Sequence, residues 1–132
     1  MSIDFYNDIQ EFTDSVIQDR MTEGKNYPHI PSEKIKKLKI ELIKEECGRE
    51  LLESLENNDL EKIADGAVDS IVVILGMCIS YGIDIRPLWD EIHRTNMAKF
   101  GGKIREDGKR LKPEGWKPPE IKRVLNEQGA KL

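Results

Sequence analysis

The chain is poor in the residues that most often announce a chemistry. Of its 132 residues only two are cysteine and two are histidine, and aromatics make up 6%. Cys47 and Cys78 lie in helical patterns without C-x-x-C spacing, which argues against a zinc site or a disulfide and for buried thiols. A carboxylate-bridged di-iron site needs a Glu-x-x-His motif on two helices, and His93 follows Asp90 at that spacing alone. His29, between Pro28 and Ile30, reads as a structural loop residue. No glycine-rich phosphate loop, dinucleotide fingerprint or nucleophile elbow is present, so any phosphate chemistry must run through side chains and metal. Long hydrophobic runs are missing too. The longest, Ile71 to Ile79, falls far short of the ~20 residues a bilayer requires. The start, "MSIDFYNDIQEF", has no basic segment leading into an apolar one, so no signal peptide is expected. These absences predict a cytoplasmic protein with no membrane partner. Internal repeats, low-complexity tracts and sustained heptads are also absent.

What is present is a balanced globular composition, 38% hydrophobic and 35% charged, with a net charge of -4. One domain is expected over 1–132, with a helical core through residue 100 and a basic arm over 101–132. The charges are unevenly distributed. Acids concentrate between Glu41 and Asp69, and bases between Lys99 and Arg123. Solvated helix faces would explain this, and so would an acidic metal centre with a basic arm for phosphate. The overall acidity argues against a large nucleic-acid footprint, so no nucleic-acid partner is expected.

Helical periodicity organises the chain. Phe5, Ile9, Phe12 and Val16 form one stripe of a helix over 3–21, which "GKNYPHIP" breaks. Ser32 can cap a second helix reaching about Glu56. In "NNDLE", Asn58 and Glu61 have capping-box spacing for a third helix that stops at Gly82. "DIRPLWDEIHRTNMAKFGG" reads as a fourth, capped by Asp84 and ended by Gly101. "KIREDGKRLK" predicts a hairpin turning at Asp107-Gly108, "PEGWKPP" a rigid loop, and "PEIKRVLNEQ" a short terminal helix.

The odd feature is where the acids fall. At about 100° per residue, Glu46 and Glu50 lie inside the apolar arc of the second helix, with Glu45 at its edge and Glu53 nearby. Asp65 and Asp69 sit one turn apart on the third helix, which is apolar nearly all round. The short "ENND" link favours antiparallel packing, which would bring the four carboxylates Glu46, Glu50, Asp65 and Asp69 together. Buried acids need a partner. A hard divalent cation fits an all-oxygen set, magnesium first and manganese as the alternative. Competing readings pair Glu46 or Glu50 with a buried Arg or Lys, such as Arg49 or Arg94 of a neighbouring subunit, or turn both pairs to solvent.

The fourth helix carries Leu88, Trp89, Ile92 and Phe100 as its apolar arc, with Asn96 in the middle and Lys99 near the edge. Asn96 can bond a phosphate oxygen, a sugar hydroxyl or a base, and Lys99 can neutralise phosphate. Arg94 points away from Asn96. Trp116 could stack on a nucleobase or simply pin the arm to the domain.

Three segments, "LIKEECGREL", "DLEKIADGAVDSIVVILG" and "WDEIHRTNMAKFGGKIREDGKRLKPEGWKPPEI", resemble the all-α nucleoside triphosphate pyrophosphohydrolases of the MazG and phosphoribosyl-ATP pyrophosphohydrolase type, over roughly Leu38 to Ile121. That family carries Glu-Glu-x-x-Glu on one helix and Glu-x-x-Asp on the next. Here Arg49 stands where the third Glu is expected, with Glu50 one position later, and Gly66 stands for the Glu of the second motif, beside Asp65. Asn96 and Lys99 match the family's Asn-x-x-Lys element. The resemblance implies an all-α, MazG-like four-helix core with a basic hairpin arm and a terminal helix, assembled as a homodimer or homotetramer. It implies magnesium-dependent hydrolysis of a nucleoside triphosphate or related nucleotide to the monophosphate and pyrophosphate. Glu46, Glu50, Asp65 and Asp69 would bind metal, and Glu45 or Glu46 would activate water. Asn96, Lys99, Lys109 and Trp116 would meet the substrate. The alternatives are phosphoribosyl-ATP hydrolysis in histidine biosynthesis, and a non-catalytic helical dimer that binds nucleotide or a protein partner.

Overall fold

The computed structural model describes residues 4–17 and 25–132. Within them every regular element is helical: α1 (Phe5–Phe12), α2 (Glu33–Ile43), α3 (Leu52–Glu56), α4 (Leu60–Ser80), α5 (Ile85–Met97) and α6 (Ile121–Glu127). Two π-helical segments extend these elements, Thr13–Ile17 after α1 and Lys44–Leu51 between α2 and α3. The all-α expectation holds. Residues 3 and 18–21 of the expected first helix, and Gly24 of the following loop, lie outside the described residues, and the side chain of Val16 is likewise not described. The chain divides into two compact units, Met1–Asp84 and Ile85–Leu132.

In the first unit, Asp4 caps α1 by accepting the Asn7 N–H at 3.0 Å. α4 forms the centre and packs against α1, α2, α3 and the Lys44–Leu51 segment. Leu75, Cys78 and Ile79 of α4 and Ile9 of α1 are buried. Both cysteines are free thiols, and burial pushes the Cys78 thiol up from its ordinary value. The start of α4 differs from the expected capping pattern. Asp59 is the cap, accepting the Lys62 N–H at 3.2 Å, while Asn58 takes a left-handed φ of 54°. Asn tolerates that conformation because its short polar side chain can bond locally. At the other end Gly82 has φ +70°, and a Cβ there would stand 2.2 Å from the Tyr27 carbonyl oxygen. Only glycine allows the Tyr27–His29 loop to close over this helix end, where the His29 N–H donates to the Tyr81 carbonyl at 2.9 Å.

α4 is long and apolar enough to cross a membrane by length and composition alone. Asp65, Asp69, Ser70 and Ser80 interrupt it at helical spacing. Ser70 and Ser80 are buried and bond back to the Gly66 and Gly76 carbonyls, as fits the core helix of a bundle.

In the second unit, the observed face of α5 corrects the expected one. Trp89 is 69% and Phe100 91% exposed, whereas Glu91 is 8% and Thr95 1% exposed. An ion-pair network accounts for this. Arg94 and Arg123 both pair with Glu91, and the Glu120 N–H donates to it at 3.4 Å. These groups tie α6 to α5 and hold the Glu91 carboxyl below the usual carboxylate range, chiefly through the Arg94 hydrogen bond. Arg94 is therefore committed to Glu91. The expected hairpin forms, with Arg105 N–H to Lys109 O at 2.7 Å and Leu111 N–H to Lys103 O at 2.7 Å. Gly108 supplies its turn with a φ of 92°.

Candidate functional site

The acidic motif Glu45–Glu50 falls wholly inside the π-helical segment Lys44–Leu51. In an α-helix, residues five apart are about 140° apart around the axis. A π turn closes its hydrogen bond one residue later, so Glu45 and Glu50 come towards a common side, with Glu46 beside them. Such segments leave carbonyls over where the ladder reverts to α spacing. Ser54 collects two of them, its hydroxyl donating to Glu50 O at 2.5 Å and Leu51 O at 3.0 Å. The π segment accommodates one more residue in the turn, which is the length by which Glu50 stands later than the expected acid.

Glu46 is the focus of the site. Its Oε2 is buried and meets no hydrogen-bond donor. Its pKa is raised, first by hydrogen bonding with the Glu50 carboxyl, then by burial, then by the charges of Glu50, Asp69 and Glu45. Three of the four expected ligands, Glu46, Glu50 and Asp69, thus act on one another across two antiparallel helices. Asp65 and Glu50 share a cavity of about 330 Å³, also lined by Glu53, Ser54, Asn57, Asp59, Lys62 and Gly66. Arg49 lies 3.7 Å from Glu50, but both side chains are more than half exposed, which makes this a weak surface pair and no neutraliser of the buried acid.

The donor set fits a hard divalent cation. A buried carboxylate oxygen without a donor, beside three further carboxylates, is what such an ion would satisfy. Among the described residues no three acid, histidine or cysteine side chains close around one point. Gly66, in place of the expected second-motif acid, is buried. A Cβ there would meet Leu51 Cα and Cδ1 at 3.5 Å. The helices pack tightly at this point, and Asp65 reaches the cavity from the neighbouring position.

Sequence reasoning missed Lys39. It is buried on α2, two turns before Glu46 on the same face, and its Nζ lies 3.9 Å from where a Cβ of Gly76 would stand. Its seven-residue spacing from Glu46, matched by Gly76 seven residues after Asp69, was the available signal.

In the second unit, Asn96 is exposed and its Oδ1 accepts from Lys99 Nζ at 3.1 Å. Lys109 is exposed on the hairpin turn. Trp116 pins the arm to α5. The Lys99 N–H turns to the Asn96 carbonyl instead of continuing the helix, and the Thr95 carbonyl takes the Trp116 indole N–H at 2.7 Å. His93 is exposed.

A sequence model of phosphoribosyl-ATP pyrophosphohydrolase matches residues 10–96, well over half of the chain. No curated protein matches it. The matched span includes the π-helical acid motif, the Asp65–Asp69 pair and Asn96, so the chain belongs to the phosphoribosyl-ATP pyrophosphohydrolase family and is a nucleotide pyrophosphohydrolase.

Proposed function

We propose that this enzyme hydrolyses a nucleoside triphosphate, or a closely related nucleotide, to the monophosphate and pyrophosphate with magnesium as its cofactor. The observation that carries the metal assignment is the buried Glu46 oxygen with no donor, pressed by Glu50, Asp69 and Glu45. Glu46, Glu50, Asp69 and Asp65 would hold the cation, and manganese suits the same oxygens. Bound there, the ion supplies positive charge opposite the phosphate oxygens.

The chain's own residues do the rest. Glu45 or Glu46 orients a water and accepts its proton as the oxygen attacks the α-phosphorus. The bond from the α-phosphorus to the bridging oxygen breaks, and pyrophosphate departs with that oxygen. Lys99 and Lys109 offset its charge, while Asn96 and Trp116 position the nucleotide. Phosphoribosyl-ATP is the alternative substrate, supported by the matched family's printed name.

The same reading includes self-association. Val68 of α4 is 61% exposed, and Ile71, Ile74, Leu52 and Leu55 are also exposed in the single chain. An apolar surface on the central helix is covered most simply by a second copy, as a homodimer or homotetramer. The acid pair Asp65 and Asp69 on α4 favours a core helix over a membrane span.

The test is pyrophosphate release from a panel of nucleoside triphosphates and phosphoribosyl-ATP, with magnesium and with EDTA. Release that requires magnesium and is lost in Glu50→Gln is expected. Full release in EDTA contradicts the cofactor assignment, and binding without any turnover favours the non-catalytic alternative.

A further inference from the structure

The indole of Trp116 carries two ammonium groups. Lys99 Nζ lies 5.4 Å and Lys112 Nζ 4.7 Å from the ring centroid, so their separation cannot exceed about 10 Å, the sum of those distances. Two like charges gathered on one ring repel each other. The ion pairs of Arg94, Arg105 and Arg123 in this unit do not involve Lys99 or Lys112. Asp107, in the hairpin turn, is taken by Arg105.

The polar atoms around the ring share one character. Lys99 donates to Asn96 Oδ1, which leaves the Asn96 amide N–H groups directed elsewhere, and among the described residues neither lysine has an acceptor other than this one. Two ammonium groups and an amide NH2 make a surface of donors. The partner that matches is a group of acceptors carrying negative charge, and phosphate oxygens are of that kind. Trp116 is itself fixed by its N–H to the Thr95 carbonyl at 2.7 Å, so the ring is a rigid support.

We infer that Lys112 is a second phosphate-binding ammonium beside Lys99, and that Trp116 positions both lysines on the phosphate chain of the substrate and on the pyrophosphate product. This rests on the reading of the enzyme as one that releases pyrophosphate. It adds Lys112 to the site and moves Trp116 from the nucleobase to the phosphates.

Tryptophan fluorescence provides a readout that does not depend on turnover. The chain has two tryptophans, and Trp89 is exposed, so Trp89→Phe leaves Trp116 as the reporter. Inorganic pyrophosphate titrated into the full-length protein, at fixed ionic strength and without magnesium, is expected to change the Trp116 emission saturably. Lys112→Gln and Lys99→Gln should each weaken that binding by about tenfold. Trp116→Phe, followed by calorimetry, should weaken it less than Trp116→Leu, because Phe keeps an aromatic face. Asp69→Asn should lose turnover yet keep the fluorescence response, which separates this inference from the catalytic one. An unchanged titration in Lys112→Gln, or a change that sodium chloride alone reproduces, overturns the inference even if the enzyme turns over normally.

Discussion

Two glutamates, one in each unit, face opposite circumstances. Glu91 is almost fully buried and completely partnered by Arg94, Arg123 and the Glu120 N–H, and its pKa is lowered. Glu46 has a buried oxygen with no donor, other carboxylates around it, and a raised pKa. The first arrangement stabilises a fold, because each charge brought in from water finds its opposite. The second costs stability, which a cation bound from outside the chain would offset. The contrast marks Glu91 as a structural acid and Glu46 as the candidate for a functional one.

The largest expected effect is on turnover. Glu50→Gln and Asp69→Asn should each lower pyrophosphate release by on the order of a hundredfold or more while leaving the circular dichroism unchanged. EDTA should do the same reversibly. Activity within twofold of the parent in either variant would erase the distinction between the two glutamates.

Next comes stability, where the two acids should move in opposite directions. Without metal, Glu46→Gln is expected to raise the melting temperature at neutral pH, because it removes a charge that its neighbours oppose. Glu91→Gln is expected to lower it and to expose the α6 amides to hydrogen exchange, because Arg94 and Arg123 lose their partner. The pH dependence carries the same sign. A depressed Glu91 pKa contributes stability above the ordinary value of 4.5, lost as pH falls through the lower folded value. The raised Glu46 pKa subtracts stability as pH rises above 4.5. Acid unfolding of α6 followed by exchange should therefore shift in Glu91→Gln and remain in place in Glu46→Gln.

The smallest effect concerns the position where an acid was expected. A Cβ at Gly66 would meet Leu51 at ordinary contact distance, 3.5 Å, so Gly66→Ala should be neutral or stabilise by up to about 1 kcal/mol in urea unfolding. A loss larger than that would mean the helices approach at Gly66 because glycine is required there.

Much of this could be read in the sequence. The acid pairs stood out because they broke an apolar pattern, and the Asp107-Gly108 turn and the Gly82 stop follow from local backbone preferences. The π-helical segment could not be read, since acids four apart share a side under either helical spacing. The face of α5 was misjudged for a different reason. Trp89 and Phe100 look like core by periodicity, but the partners that bury Glu91 come from Glu120 and Arg123, about thirty residues later, and no local pattern announces them. Lys39 was overlooked because a lysine on an apolar arc reads as a solvated flank.

The most direct test of the account is the carboxyl titration of Glu46, observed by NMR on protein with selectively labelled glutamate side chains, with and without magnesium. The account predicts an apparent pKa above the ordinary 4.5 in metal-free protein and a large downward displacement when magnesium is added, absent in Asp69→Asn. A Glu46 that titrates at its ordinary value and ignores magnesium would contradict it.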